Sequence, residues 1–318
     1  MRITPDAAAR WLREHDDFVI LTHCRPDGDT IGSGAALCLG LRAVGKRAEL
    51  YPNRQITPQL EPYTRGLNGA ESPAETSTIV AVDISAVSLL PLGGEDLSAA
   101  LCLDHHGSNE DYAACTCVRP ECASCAELIY EVLLALGAPV TKQIADALYL
   151  GVSTDTGCFQ YANVTAETFR TAAALAEAGA DCYGINKVMF ATKSRARLQL
   201  ESYLTAHMEL LAQGRVGICT LPQAQIDRIG ANEDDANGLS GFARGLEGVQ
   251  IAVMLRDIEG GQCKISLRTG TEHDSAAICR HLGGGGHKGA AGATVDGDFA
   301  AARAAILDAI RLETGLVV

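Results

Sequence analysis

Short β-rich runs alternate with helical patterns through the first half of the sequence, and this order constrains the fold more than any other feature. Helical patterns such as "CAELIYEVLLALG" and "TAETFRTAAALAEAG", the latter with Thr165 as its expected N-cap, follow the runs. Strands that alternate with helices predict an α/β fold with a mainly parallel sheet flanked by helices. The predicted strands are "DFVILTH" (17–23), "RAELYP" (47–52), "TSTIVAVDIS" (76–85) and "ALCLDHH" (100–106).

A different pattern begins in the second half. The stretch 185–214 is interpreted as one or two helices without a strand. Three strands, a helix at 274–282, a glycine loop and a last helix near 298–313 are expected after it, with a Gly260-Gly261 turn between the second and third strands. We therefore predict a first domain over 1–185, a helical connector over 186–213 and a smaller α/β domain over 214–318, with an active-site cleft between the domains.

Composition limits the classes of partner. The chain has 318 residues, of which 47% are hydrophobic, enough for two cores. Its formal net charge of −13 disfavours binding to long duplex nucleic acid. No segment resembles a signal peptide or a membrane span, so we expect a cytoplasmic protein that does not bind membranes. Many of the 12 cysteines lie in apolar runs and are expected to be reduced thiols.

Polar residues of the metal-binding types lie where predicted strands end. In an open α/β sheet the carboxyl ends of parallel strands share one crevice, so such residues converge although they are far apart in sequence. Any single aspartate among them could instead cap a helix. Together they predict a metal centre built from His23, Asp27 and Asp29 after the first strand, Asp83 in "VAVDIS", the triplet Asp104-His105-His106, and Asp155 in "STDTG".

The mixture of carboxylates and imidazoles indicates which metal is bound. Several carboxylates with one or two histidines suit a pair of divalent ions that share a bridging carboxylate and activate a water molecule. Oxygen-rich ligands without a thiolate favour Mn²⁺ over Mg²⁺, Fe²⁺ or a structural zinc. Because side chains alternate along an extended strand, His105 and His106 should not both bind one ion if "LDHH" stays extended. One histidine would then bind metal while the other contacts the substrate, and Asp104 would orient a ring.

Five stretches in a fixed order now point to a family. "HCRPDGD", "VAVDIS", "LDHHGSN" and "STDTG" resemble the four signature motifs of the DHH phosphoesterase family. "GGGGHKGAAG" (283–292) resembles the glycine-histidine motif of the DHH-associated C-terminal domain. The sequence is most similar to the subfamily that degrades short oligoribonucleotides (nanoRNA) and removes the 3′-phosphate of 3′-phosphoadenosine 5′-phosphate.

The resemblance implies a role for each matched residue. Asp83 and Asp155 would contact both manganese ions, and His106, assisted by Asp104, would face the substrate phosphate as the catalytic pair. Short RNA or nucleotide substrates and a homodimer are also implied. The six residues that the resemblance makes ligands of two Mn²⁺ ions are His23, Asp27, Asp29, Asp83, His105 and Asp155.

The glycine run in the second half has several possible interpretations. It contains the pattern G-x-G-x-x-G, but a predicted helix precedes it where a dinucleotide-binding fingerprint needs a strand, so that interpretation is excluded. If the run has no function, it is a flexible turn. Backbone N–H groups without side chains can approach a phosphate closely. The resemblance adds an arginine from a neighbouring strand, and Arg244 could line the cleft. The predicted substrate-binding residues are Arg268, Gly284, Gly285, Gly286, His287, Lys288 and Arg244.

We thus expect a Mn²⁺-dependent enzyme that hydrolyses short oligoribonucleotides to mononucleotides and 3′-phosphoadenosine 5′-phosphate to AMP and phosphate. Two related enzyme classes remain open, a cyclic-dinucleotide phosphodiesterase and a pyrophosphatase or exopolyphosphatase. A non-catalytic nucleotide-binding regulatory module is the third alternative. The cysteines at 115, 117, 122 and 125 could hold zinc, but their spacing lacks the usual two CxxC pairs.

Overall fold

The computed structural model describes residues 1–236, 238–258 and 260–318, and the chain forms two compact units, Met1–Thr192 and Lys193–Val318. In the first unit a short 3₁₀ turn, Val87–Leu89, follows the third strand, and a π-helical turn, Lys187–Ala191, ends the unit. The helices and strands of the first unit are α1 (Pro5–Glu14), β1 (Phe18–Leu21), α2 (Gly28–Ala43), β2 (Ala48–Leu50), α3 (Glu61–Thr64), β3 (Thr78–Val82), β4 (Leu101–Asp104), β5 (Cys115–Val118), α4 (Cys125–Leu136), α5 (Lys142–Asp155), α6 (Ala166–Glu177) and α7 (Cys182–Asn186).

The five strands form one parallel sheet in the order β2-β1-β3-β4-β5, which confirms the predicted α/β class. Alternate residues of the strands face opposite sides. One side, which includes Ile20 and Val80, packs in a single core with the helices α2, α4 and α5. The other side, which includes Val19 and Ile79, is covered by apolar residues of the connecting segments.

The strands are shorter than predicted, and one was missed. Each of the four predicted runs contains a strand of three to five residues, and the polar residues that follow lie in loops beyond the strand ends. The missed strand is β5, which contains Cys115 and Cys117. We had considered these thiols as zinc ligands, whereas Cys117 is completely buried in the core of the first unit.

Helix α5 corrects the expectation that Asp155 follows a strand. The segment 142–155 is a helix that begins after the N-cap Thr141 and buries Leu148, Leu150 and Val152. Gly32 of α2 allows α5 to approach closely, because a Cβ at Gly32 would lie 2.2 Å from the backbone oxygen of Ala147. Helix α5 carries Asp155 at its last position.

The second unit contains a separate six-stranded sheet in the order β10-β11-β9-β8-β7-β6. Neighbouring strands are antiparallel except for β7 and β8, which are parallel. Its helices and strands are α8 (Arg195–His207), β6 (Glu209–Leu211), β7 (Val216–Thr220), α9 (Gln223–Ile229), α10 (Glu233–Ala236), β8 (Ile251–Ile258), β9 (Gln262–Thr269), α11 (Ser275–Arg280), β10 (Gly285–His287), β11 (Ala290–Asp296) and α12 (Phe299–Thr314), with a 3₁₀ helix at Leu239–Gly245.

Two details of the second unit differ from prediction. The stretch 185–214 contains strand β6, so the expectation of a purely helical segment was wrong; three residues at a sheet edge give too short a pattern to recognise. The expected glycine loop is partly a strand, because β10 pairs with β11 in a hairpin, and neither of these strands was predicted. Glu259, beside the predicted Gly260-Gly261 turn, lies outside the described residues. Within the described part of the chain, every helix is too short or too polar to cross a membrane.

Candidate metal centre

The predicted ligands lie where the strand order of the first sheet reverses. Strand β1 has β2 on one side and β3 on the other, so the connections that leave β1 and β3 run in opposite directions. This topological switch point opens a crevice at the carboxyl ends of the strands. His23 follows β1, Asp83 follows β3 directly, and His105 follows β4. The sheet itself therefore brings three distant segments together.

The turn after β1 is fixed by local hydrogen bonds. Asp27 is the N-cap of α2, and its carboxylate accepts hydrogen bonds from the backbone N–H groups of Asp29 at 3.0 Å and Thr30 at 3.1 Å. The Thr30 hydroxyl donates to the backbone oxygen of Val82 at 3.0 Å and accepts from the N–H of His23 at 3.2 Å. Thr30 thus joins the ends of β1 and β3, a role that the sequence analysis did not assign.

Asp83 has a strained backbone and an unsatisfied side chain. Its φ of 60° lies in the left-handed region, which costs free energy for a residue other than glycine. The side chain is 3% exposed, and its Oδ1 atom has no hydrogen-bond partner among the described residues. A buried carboxylate oxygen without a donor is costly unless a cation or a proton compensates it. Such strain at a polar crevice is typical of a functional residue.

Asp29 is held by the first turn of another helix. Its Oδ2 accepts a hydrogen bond from the N–H of Cys125 at 2.6 Å, and its Oδ1 accepts from the N–H of Ala126 at 2.9 Å and from the Ser33 hydroxyl at 3.1 Å. The N-terminal end of α4 therefore stabilises the carboxylate through free N–H groups and the helix dipole. The sequence analysis assigned no role to Ser33 or to these amides.

Two histidines direct a ring nitrogen toward the carboxylates. The Nδ1 atom of His23 lies 2.9 Å from the backbone oxygen of Cys24, and that of His105 lies 3.2 Å from the oxygen of Cys122. A neutral ring must donate its Nδ1–H to such an acceptor, which leaves Nε2 with a free lone pair. This is the arrangement of a histidine that binds metal through Nε2.

The ligand atoms form one continuous cluster around these nitrogens. His23 Nε2 lies 3.6 Å from an Asp27 oxygen and 3.8 Å from Asp83 Oδ2. His105 Nε2 lies 3.7 Å from Asp83 Oδ1, 3.4 Å from Asp155 Oδ2 and 3.9 Å from Asp29 Oδ2. Three overlapping groups could each hold a cation: His23, Asp27 and Asp83; Asp29, His105 and Asp155; and Asp83, His105 and His106.

The third group departs from expectation. Strand β4 ends at Asp104, so His105 and His106 are not on an extended strand and their side chains need not point to opposite sides. Their rings meet edge to face with centroids 4.5 Å apart, and His106 Nδ1 lies 3.5 Å from Asp83 Oδ1. The condition under which alternation would separate the two rings, an extended "LDHH", is therefore not met.

Asp104 determines the orientation of His106. The Asp104 side chain is completely buried, and its Oδ1 accepts hydrogen bonds from the N–H groups of His105 and His106 and from His106 Nδ1 at 2.8 Å. Its Oδ2 accepts from Asn109 Nδ2 at 2.6 Å. Burial alone would raise the pKa of Asp104, but the hydrogen bond and charge of His106 outweigh burial and lower it. Asp104 is thus a charged group that fixes a proton on Nδ1 of His106.

Electrostatic repulsion within the cluster is strong when no cation is bound. Burial, reinforced by the charges of neighbouring aspartates, raises the pKa of Asp83 well above its usual range and that of Asp155 to about 8. The pKa of Asp29 is raised mainly by burial. Burial would lower the pKa of His23, but its hydrogen bond with Asp27 outweighs burial and raises it. The unsatisfied carboxylate oxygens and the histidine Nε2 lone pairs that face them are suited to bind divalent cations, which take oxygen and imidazole ligands.

This repulsion predicts how the stability of the metal-free protein depends on pH. A carboxyl group whose pKa is higher in the folded state stabilises the fold while it is protonated. For Asp155 this stabilisation is complete below the unfolded pKa of about 4 and is lost as the pH rises through about 8. The raised pKa of His23 acts in the same direction, because its stabilisation is also lost at high pH.

We therefore expect the melting temperature in chelator to fall as the pH rises through this range, and added Mn²⁺ to restore it most at high pH. Thermal denaturation with and without chelator measures both effects, and the Asp155→Asn variant should show a shallower pH dependence. A melting temperature that is independent of pH in chelator would contradict the proposed charge cluster.

The predicted substrate-binding residues lie in the second unit. Arg268 belongs to β9, next to β11, and its guanidinium donates to the backbone oxygen of Leu267 at 3.0 Å. Arg244 ends a 3₁₀ helix and donates to the backbone oxygen of Val249. The turn at Lys288 is fixed, because its backbone oxygen accepts from the Thr269 hydroxyl at 3.0 Å and from the N–H of Ser275 at 2.7 Å.

The glycines of the hairpin have different structural roles. A Cβ at Gly284 would lie 2.2 Å from the oxygen of Gly292, and one at Gly286, where φ is 142°, would lie 2.6 Å from the oxygen of Ala290. These two glycines are needed for close pairing with β11. Gly285 faces open space in the described structure, and strand β10 with its exposed His287 lies at the sheet edge.

Comparisons with known proteins agree with this geometry. Residues 17–152 match the DHH family, N-terminal domain, and residues 218–312 match the DHHA1 domain. The chain is 33% identical to the bifunctional oligoribonuclease and PAP phosphatase NrnA of Thermus thermophilus, over 92% of this chain and 89% of that protein. It is 23% identical to the protein of the same name in Bacillus subtilis, over 90% and 91% of the two chains.

A solved structure shows the same fold. An exopolyphosphatase-related protein from Bacteroides fragilis superimposes with a TM-score of 0.88 at 24% sequence identity, covering 97% of this chain and 95% of that one. The metal-binding residue types, the parallel sheet and the similarity over nearly the whole length agree with one another. This chain belongs to the DHH family, carries its DHHA1 domain, and is a hydrolase that acts on phosphate ester bonds.

Proposed function

We propose that this protein is a Mn²⁺-dependent phosphoesterase that hydrolyses short oligoribonucleotides to mononucleotides and 3′-phosphoadenosine 5′-phosphate to AMP and phosphate. The observation that carries the proposal is the cluster of four aspartates and two histidines beside the oriented His106. Relatives that match over about nine-tenths of the chain are named as oligoribonucleases and PAP phosphatases. Mn²⁺ suits this set of carboxylate and imidazole ligands.

The chain's own residues supply metal ligands and proton control. His23, Asp27 and Asp83 would hold one ion, and Asp29, His105 and Asp155 the other. Bound divalent ions lower the pKa of water and offset the negative charge of a phosphoryl group. His106 keeps one proton on Nδ1 through Asp104, so its Nε2 can deliver a second proton to the leaving oxygen.

The second unit is proposed to hold one end of the substrate. Gly285 has no packing reason to lack a side chain, because a Cβ there would meet open space. Backbone N–H groups of an edge strand without side chains can donate to a phosphate. His287, Lys288 and Arg268 add donors on the hairpin and on β9, and Arg244 is a further candidate. A terminal contact of this kind favours short substrates over long RNA.

A substrate panel tests the proposal. Purified protein with Mn²⁺ is assayed on dinucleotides, 24-mer RNA, 3′-phosphoadenosine 5′-phosphate, cyclic dinucleotides and pyrophosphate. We expect dinucleotides and 3′-phosphoadenosine 5′-phosphate to give the highest kcat/KM. Preferential hydrolysis of cyclic dinucleotides or pyrophosphate would replace the proposed substrate, and no hydrolysis in the panel would favour a regulatory module.

The Arg268→Ala variant extends the same panel to the second unit. Loss of a guanidinium that would bind the end of the substrate and not the reacting phosphate should raise KM for dinucleotides about tenfold and leave kcat within about twofold, as expected for lost uniform binding. Arg280→Ala, on the neighbouring helix α11, is the matched control. Equal kinetic constants for Arg268→Ala and the wild type would remove Arg268 from the substrate site.

A further inference from the structure

Arg25 lies in the middle of the metal-binding turn and has no role in the proposals above. Its backbone φ is 52°, in the left-handed region that a residue with a long side chain rarely occupies. The side chain is exposed, whereas Pro26 next to it is buried. Backbone strain at a polar crevice requires a cause, and surrounding structure must hold it in place.

Neighbouring loops impose this conformation. The N–H of Arg25 donates to the Gln55 side chain at 2.9 Å, and the N–H of Cys24 donates to the backbone oxygen of Leu89 at 2.8 Å. Asn53 Nδ2 donates to the backbone oxygen of His23 at 2.9 Å. Two loops of the first unit therefore fix the turn on both sides of Arg25, which makes its strained geometry a built feature of this sheet edge.

The Arg25 guanidinium makes no hydrogen bond or ion pair with any described residue. Two other exposed arginines of this unit do pair with acidic side chains: Arg47 with Asp17 at 2.5 Å, and Arg54 with Glu71 at 2.6 Å. Asp27, an accessible carboxylate, is only two residues away from Arg25 and yet is paired with His23.

The position of Arg25 and the chemistry of its guanidinium indicate that its ligand is a phosphate group. Arg25 is two residues from His23 and two from Asp27, so its Cα lies within about 7.6 Å of either Cα, a distance that its own side chain can span. A guanidinium binds phosphate oxygens with two parallel hydrogen bonds. The cluster beside it consists largely of carboxylates, which repel a phosphate until cations are present.

We propose that the guanidinium of Arg25 binds the phosphoryl group that undergoes hydrolysis, an inference that rests on the proposed function. It places a permanent positive charge next to the metal ligands and draws the phosphate of the substrate toward them. Phosphate binding also gives the strained backbone a function. The loops force Arg25 into the left-handed region, and there its side chain extends to solvent without an internal partner.

The test compares Arg25→Asn, Arg25→Lys and the wild type. Asparagine tolerates the left-handed region better than arginine, so Arg25→Asn removes the charge without adding strain. Arg47→Gln is the matched control, because Arg47 is exposed and precedes β2 at the amino end of the sheet, opposite the metal centre. Three quantities are measured on Mn²⁺-loaded protein: the Kd for inorganic phosphate by calorimetry, kcat/KM for a dinucleotide, and the melting temperature.

We expect Arg25→Asn to weaken phosphate binding and to lower kcat/KM about 100-fold, the effect of removing one charged group that stabilises the reacting phosphate. Its melting temperature should equal or exceed that of the wild type, a combination that a purely structural role would not produce. Arg25→Lys should lie between the two, and Arg47→Gln should match the wild type.

The results separate the inference from the proposed function. If the wild type hydrolyses dinucleotides and Arg25→Asn retains its phosphate Kd and kcat/KM within about twofold, the inference is overturned and the proposed function stands. If the wild type hydrolyses neither dinucleotides nor 3′-phosphoadenosine 5′-phosphate, but Arg25→Asn binds inorganic phosphate more weakly than the wild type does, the proposed substrates are wrong while Arg25 remains a phosphate-binding residue.

Discussion

Asp83→Asn is expected to abolish most of the hydrolytic activity and to stabilise the metal-free protein at the same time. The loss of one charged group in the centre should lower kcat/KM by at least about 10²- to 10³-fold. Asparagine has the same shape and tolerates the left-handed backbone of this position. It also removes a buried carboxyl whose pKa is raised well above the usual range by burial and by neighbouring aspartates.

The stability effect has a definite sign. A carboxyl with a raised pKa in the folded state destabilises the fold relative to a neutral amide once the pH exceeds its unfolded pKa, so its removal should raise the melting temperature in chelator at neutral and alkaline pH. In excess Mn²⁺ the wild type should have the higher melting temperature of the two proteins, because the variant has lost a metal ligand. Turnover, calorimetric Mn²⁺ titration and thermal denaturation with and without chelator measure these effects.

Asp111→Asn is a matched control for Asp83→Asn. Asp111 also has a left-handed backbone, with φ of 53°, but its side chain pairs with Arg2 at the surface. This control should leave turnover and Mn²⁺ affinity unchanged. Near-wild-type turnover in Asp83→Asn would exclude Asp83 from the metal centre, whatever its effect on stability.

Asp104→Asn should reduce kcat strongly while the protein continues to bind Mn²⁺. An Asp104 carboxylate oxygen lies 2.8 Å from His106 Nδ1 and holds a proton on that nitrogen. An amide cannot supply the charge, and its NH₂ group can donate to Nδ1 and stabilise the wrong tautomer. Loss of an aspartate that orients a catalytic histidine has cost up to about 10⁴-fold in kcat in a serine protease. A decrease of about 10²-fold or more is expected here.

A double-mutant cycle identifies the route of this effect. If Asp104 acts through His106, the double variant Asp104→Asn/His106→Gln should be no slower than His106→Gln alone. Additive losses would contradict the proposed pair. Calorimetry should give similar Mn²⁺ affinities for Asp104→Asn and the wild type, since Asp104 belongs to none of the three ligand groups.

The sequence predicted the first sheet and the approximate position of the centre for a clear physical reason. Buried parallel strands need nearly continuous apolar runs, so β1, β3 and β4 were recognisable, and the polar residues after them stood out. Similarity to the DHH family then connected Asp155 to the same set. Its helical context was missed because α5 is buried almost throughout and shows little amphipathic periodicity.

Other features depended on contacts that no local pattern contains. The role of Ser33 follows from its hydrogen bond to Asp29, and that of Asn109 from its bond to Asp104. The adjacency of His105 and His106 was not foreseen because the strand ends at Asp104, two residues before the end of the predicted run. Strain at Arg25 and Asp83 is a property of backbone dihedral angles, which only the tertiary structure determines.

Because α5 packs against α2 at Gly32 and carries Asp155, the metal centre can be completed only after α5 has been synthesised. The proposed ligands begin at His23 and end at Asp155, the last residue of a helix that follows the whole parallel sheet. A nascent chain that has emerged only as far as β5 lacks Asp155, and also lacks the α4 amides that hold Asp29. The centre would therefore be completed late, and an unfinished chain would lack part of the ligand set that hydrolysis needs.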